Sequence, residues 1–254
     1  MKREKVLLTV MTTLMVALFA APAVMAQAQE TLTAQGQEVE VPVPTEPGIF
    51  TIKGQFARIA YNNEGWVTLG YQTANGSQGG DWMLIEVGVT VLKGVKAQTL
   101  TRESFTVTLP DESIVPMASI EEYRKAGSLR SLNARGNRIR QSINYFPAAA
   151  HHACPMLFFT DPTGEMTGGL AYDQFEINHQ RACVGRLFFK MPEGKEIQPG
   201  QYWLNVRFAN SIVQTPFRIM TKEEEKFLKK NWKDLKKEHE AYLKAEAEKA
   251  KQQK

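Results

Sequence analysis

Cysteine and histidine are scarce in this chain, with two and four among 254 residues. Two cysteines allow one disulfide and no disulfide framework. Long apolar runs are scarce too. Beyond Val6 to Ala21, no segment is long and greasy enough to span a bilayer. A strong charge bias is also missing, because the net charge is only +4, which gives no reason to expect nucleic acid as a partner. No stretch forms a catalytic signature. A glycine-rich nucleophile turn and an Asn or Asp placed to orient a Cys–His pair are both lacking.

The N-terminus reads as an export signal. Lys2, Arg3 and Lys5 precede the apolar run, Pro22 interrupts its end, and small residues follow at Val24-Met25-Ala26 and Ala26-Gln27-Ala28. A basic start, a short apolar stretch and a small-x-small exit make a cleavable secretory leader over residues 1–26, cut after Ala26 or Ala28. No cysteine sits at that point to carry a lipid. Cleavage lowers the net charge to +2, since Lys2, Arg3, Lys5 and Glu4 leave with the leader. The expected location is the periplasm or the exterior, with no transmembrane segment after cleavage.

Residues 27–47 carry Pro42, Pro44 and Pro47 and read as an extended linker rather than a core strand. From residue 48 to 220 the pattern is one of short β runs and turns. Met83 to Val91 is the clearest. Its odd positions are all apolar and its even ones include Glu86, Gly88 and Thr90, so one buried and one wetter face are expected. Phe105, Val107 and Leu109 repeat the alternation, as do Tyr202, Leu204, Val206 and Phe208. Asn75-Gly76 opens a glycine-rich turn. Residues 119–150 break the pattern as a helical, arginine-rich insertion that opens on a capping box at Ser119 and Glu122. The fold expected is mainly β, an antiparallel sandwich with this insertion and a C-terminal helix.

Within that pattern, Trp82 to Ser119 is similar to a known group. An alternating strand, a break at Lys93-Gly94-Val95-Lys96 and the hairpin from Glu103 to Ser113 resemble exported bacterial immunoglobulin-like domains of unknown function. Ile197-Gln198-Pro199-Gly200-Gln201-Tyr202 is similar to the strand entry at which a tyrosine closes a corner in such domains. Ser113 stands where the family's hairpin carries glycine. The resemblance implies an immunoglobulin-like β-sandwich and leaves function open.

Four sets of residues are chemical candidates. Cys154 and Cys183 are expected to form a disulfide, closing a loop of about 30 residues and contributing about 3–4 kcal/mol. The alternative is a zinc or copper site built from His151, His152, Cys154, His179 and Cys183, since imidazole and thiolate suit both ions. Arg124, Arg130, Arg135, Arg138 and Arg140, with Lys125, form either an anion patch or a solvated surface. The tail, residues 221–254, opens on a capping box of Thr221 and Glu224. Leu228, Trp232, Leu235 and Tyr242 then recur at helical spacing. That stripe is either a partner-binding helix or a lid on the domain, and the last ten residues lack an apolar face and are expected to fray. The leading function is a non-enzymatic envelope module, without a cofactor, for a protein or cell-wall partner. A metal-binding periplasmic protein is the alternative, and a hydrolase with an unrecognised site the second.

Overall fold

The computed structural model describes residues 31–34, 37–40, 49–126, 129–139, 142–159 and 171–252. The leader, the three prolines of the linker and Arg140 lie outside them. The fold is mainly β. Strand β1 (Thr31–Ala34) pairs with β2 (Gln37–Glu40) as an antiparallel hairpin inside the segment expected to be a linker.

Strands β3 (Ile49–Gly54), β4 (Ala57–Tyr61), β5 (Gly65–Gly70) and β6 (Trp82–Val91) run antiparallel in sequence. Between β5 and β6 the chain makes a short helix, α1 (Gln72–Asn75), before the expected turn. Strands β7 (Gln98–Thr101), β8 (Phe105–Thr108) and β9 (Ile114–Pro116) follow. Helices α2 (Ile120–Lys125) and α3 (Leu129–Arg138) form the insertion. Then come β10 (His152–Met156), β11 (Gln174–Ile177), β12 (Arg181–Lys190), β13 (Gly200–Arg207) and β14 (Ile212–Ile219). Helix α4 (Lys222–Gln252) ends the chain as described.

The strands assemble into a six-stranded sheet, β10-β12-β6-β5-β4-β3, and a four-stranded sheet, β14-β13-β8-β9, with β11 and β7 as a separate pair. The two larger sheets share one core. Val67, Ile85, Val87 and Leu187 from the first meet Phe105, Val107, Leu204, Val206 and Phe217 from the second. This is the alternation legible in the sequence, with apolar residues two apart pointing one way. Tyr202 hydrogen-bonds back four residues, donating to the Gln198 carbonyl at 2.8 Å and accepting the Gln198 N–H at 3.1 Å.

Two expectations fail, each for a physical reason. The architecture is not wholly antiparallel, because β10 lies parallel to β12. The second face of β6 is not wet either. Trp82, Leu84, Gly88 and Thr90 are buried on it, Leu84 and Gly88 beneath the insertion and Thr90 against the β11–β12 turn, donating to the Asn178 carbonyl at 2.8 Å. Gly88 and Gly70 make that docking possible. A Cβ on Gly88 would sit 2.4 Å from the Phe146 ring, and one on Gly70 would sit 2.8 Å from Ile143. Nearby, the Trp66 indole N–H donates to the Tyr145 carbonyl at 2.8 Å. Tyr123 of α2 meets Phe188 edge-on at 5.0 Å. The insertion is therefore a third layer over the six-stranded sheet.

Two glycines separate propensity from space. Gly185 approaches β10 so closely that a Cβ would lie 2.1 Å from the Met156 carbonyl oxygen, an atom of the backbone. Gly136 lies inside α3, where a Cβ would meet Leu84 at an ordinary 3.5 Å. Gly185→Ala is expected to destabilise by at least about 1–3 kcal/mol, and Gly136→Ala to stabilise by about 0.5–1 kcal/mol through helix propensity. Urea unfolding of the two variants should shift the midpoint in opposite directions.

Candidate functional site

The two cysteines are joined. Cys154 of β10 and Cys183 of β12 are register partners, with Cα atoms 4.5 Å apart and a sequence separation of 29. The bond uses both thiols that a zinc or copper site would need as thiolates. The neighbouring imidazoles do not converge with them. His151 and His152 lie with their rings 4.3 Å apart and exposed, and the His151 Nδ1 is 2.7 Å from the Ala149 carbonyl. His179 is half-buried in the turn before β12. Among the described residues, no group of three or more His, Cys, Asp or Glu is placed to hold a metal ion.

The arginines of the insertion point in separate directions. Arg124 and Arg130 are exposed. Arg135 spans to another element, donating to the Gly76 carbonyl at 2.5 Å and to the Ser77 hydroxyl at 3.3 Å. Arg138 bonds its own helix, at the Ala134 carbonyl. Lys125 pairs with Glu121 one turn back. Arg135 thus fastens α3 to the turn after α1.

The tail is better ordered than its composition implies. The Thr221 hydroxyl accepts the Glu224 N–H, and the Glu224 carboxylate accepts the Thr221 N–H at 2.9 Å, as the capping-box spacing predicted. Glu224 also takes a hydrogen bond from Arg218 at 2.7 Å, and Asn75 donates to Glu225. Helix α4 runs to Gln252, 31 residues or about 46 Å. Leu228 packs against the shared core. Trp232 and Leu235 are half-buried on the same side, and Tyr242 is exposed. One turn beyond Leu235, His239 is buried, and its Nε2 accepts the N–H of Ile52 on β3. β3 is an edge of the six-stranded sheet, so the helix satisfies a main-chain donor there. Lys226, Lys230, Lys233 and Lys237 stand exposed on the opposite side. The helix is docked to the domain through one face and leaves a lysine face outward.

A buried polar cluster was not foreseen. Glu64, in the β4–β5 turn, accepts from the Ser211 hydroxyl at 2.7 Å, the Gln98 amide at 2.7 Å and the main-chain N–H of Asn210. Asn62 donates to Ser211 at 2.8 Å and accepts the N–H groups of Glu64 and Gly65. These bonds tie the turn at one end of the six-stranded sheet to the β13–β14 turn of the other sheet. The sequence showed a turn at Asn62 to Gly65. Its partners lie far along the chain, so no local signal marked them.

The docking of α4 should depend on pH. Burial, then the nearby Arg58, and less strongly Lys53 hold the His239 imidazole below its ordinary range, against the opposing pull of Glu240. The neutral ring that accepts the Ile52 N–H is therefore the folded form. Its contribution is complete above the unfolded value of about 6.5 and is lost as the pH falls through the lower folded value. Deleting residues 222–254 is expected to lower the melting temperature, and His239→Gln to flatten its fall between pH 7 and 5. Thermal melts of the three proteins across that window check both. In comparisons with known proteins, no family model, curated protein or solved structure matches the chain.

Proposed function

We propose that this is an exported envelope protein, with an immunoglobulin-like sandwich acting as a non-enzymatic binding or structural module for a protein or cell-wall partner. The observation that carries the reading is the Cys154–Cys183 disulfide between register partners. Such bonds persist in oxidising compartments and are rare where thiols are kept reduced. The leader pattern from Lys2 to Ala26 supports the same destination. Among the described residues, no helix is long and apolar enough to cross a membrane.

A module of this kind needs a rigid scaffold and a free surface. Rigidity comes from the shared core, the insertion layer and the docked α4. Recognition then falls to outward side chains, as is common where loops and faces are carried on a stiff framework.

Fractionation of cells making the full chain with its own leader tests the proposal. The expected result is a periplasmic or secreted polypeptide starting after Ala26 or Ala28, with cysteines that resist alkylation until reductant is added. An intact Met1 in the cytosol with both thiols reactive would overturn it. In the purified protein, the double substitution Cys154→Ala with Cys183→Ala should cost about 3–4 kcal/mol in denaturant unfolding.

A further inference from the structure

The four-stranded sheet has a second face, turned away from the shared core. On it β13 presents Trp203, Asn205 and Arg207, flanked by Thr106 and Thr108 of β8 and by Gln214 of β14. The middle of this face is a ladder of neutral hydrogen bonds. Asn205 donates to Thr108 at 2.9 Å and to Thr106 at 3.1 Å, and Gln214 donates to Asn205 at 3.2 Å. Asn205 and Thr108 are buried at its floor, while Trp203, Arg207 and Gln214 are half-exposed around them. Trp203 and Arg207 are four residues apart on one strand, about 13 Å.

The two ends of the ladder have no hydrogen-bond partner among the described residues. Arg207 makes no ion pair or hydrogen bond with any described residue, and its Nε is shielded from solvent without a partner. Burial lowers its pKa, with no opposing carboxylate. The rest of the guanidinium is half-exposed and open to an anion. The Trp203 indole N–H likewise has no acceptor among the described residues. None of the side chains that β8, β13 and β14 turn outward is acidic, and the other arginine among them, Arg218, is already paired with Glu224. Among the described residues, the face carries one guanidinium with no carboxylate beside it.

The ligand chemistry follows from what a sheet face offers. Main-chain donors and acceptors lie in the plane of the sheet, so a peptide added as a strand would need an edge. A face offers side chains only: here an aromatic ring for stacking, amides and hydroxyls for neutral polar groups, and one guanidinium for one carboxylate. From these groups together, we infer that the outer face of the four-stranded sheet binds an acidic glycan, with Trp203 stacked on a sugar ring and Arg207 paired with a uronic-acid carboxylate. The inference deepens the envelope-module reading and rests on it for the ligand's setting, while the binding itself is measurable on the isolated protein.

Calorimetric titration of the oxidised mature chain with polygalacturonate, dextran and a single-stranded oligothymidylate provides the test. Polygalacturonate should bind and weaken as salt rises, with dextran and the oligonucleotide at least tenfold weaker. Arg207→Met and Trp203→Ala should each lose tenfold or more, and Lys233→Ala on α4 should lose nothing. Trp203→Phe keeps a stacking ring, and its intermediate affinity would give the same answer if the alanine variant does not fold. Absent binding, equal binding of dextran, tighter binding of the oligonucleotide, or full affinity in a folded Arg207→Met overturns the assignment. Failure here, with a chain that is exported and oxidised, removes this surface alone. A cytosolic, reduced chain removes the envelope reading instead.

Discussion

The structure depends most on the contact between Phe146 and Gly88. A six-stranded sheet with one apolar face needs one partner layer, and the four-stranded sheet supplies it. β6 is buried on both faces because Gly70 and Gly88 leave hollows that Ile143 and Phe146 fill. Any side chain at Gly88 would meet the Phe146 ring and the Thr68 hydroxyl and displace the ring from its hollow, beside the Tyr145 carbonyl that receives the Trp66 N–H. The insertion is thereby part of the fold, and one of its arginines, Arg135, fastens it. Arg135 crosses to the turn after α1 rather than facing a ligand.

The end of the chain serves the same economy. Helix α4 is fixed at its start by Thr221 and Glu224, along its length by Leu228, and beyond its midpoint by His239 against β3. Leu228, Trp232, Leu235 and His239 fall on one stripe, so the apolar period that suggested either a lid or a free recognition helix corresponds to a docked face. What that helix leaves outward is a lysine face, and what the four-stranded sheet leaves outward is the ladder around Asn205.

Much of this was legible from local pattern. The strand alternations at 83–91 and 202–208, both capping boxes and the cysteine pairing are short-range or counting arguments, and each has its counterpart in the structure. What was missed depended on distant partners. The even positions of β6 read as wet because Glu86, Gly88 and Thr90 carry no apolar signal, but the insertion covers Gly88, Arg186 pairs with Glu86 and the β11–β12 turn accepts from Thr90. The parallel placement of β10 beside β12 cannot be read from periodicity, which is the same for either direction. The ladder around Asn205 combines residues from three strands, and no window of sequence contains it.

One consequence concerns the border of the larger sheet at β10. An outermost strand offers a row of unpaired main-chain groups that can recruit a second molecule. β10 is short, carries Pro155, which has no N–H to offer, and is held to β12 by sulfur. Reduction would leave only a brief parallel ladder to retain it. A β10 that peeled away would uncover the edge of β12 from Arg181 to Gly185, where Ala182 and Cys183 are buried. The disulfide therefore guards against intermolecular assembly as well as unfolding, and chains that lose it should enter fibrils or swapped dimers before they lose their helices.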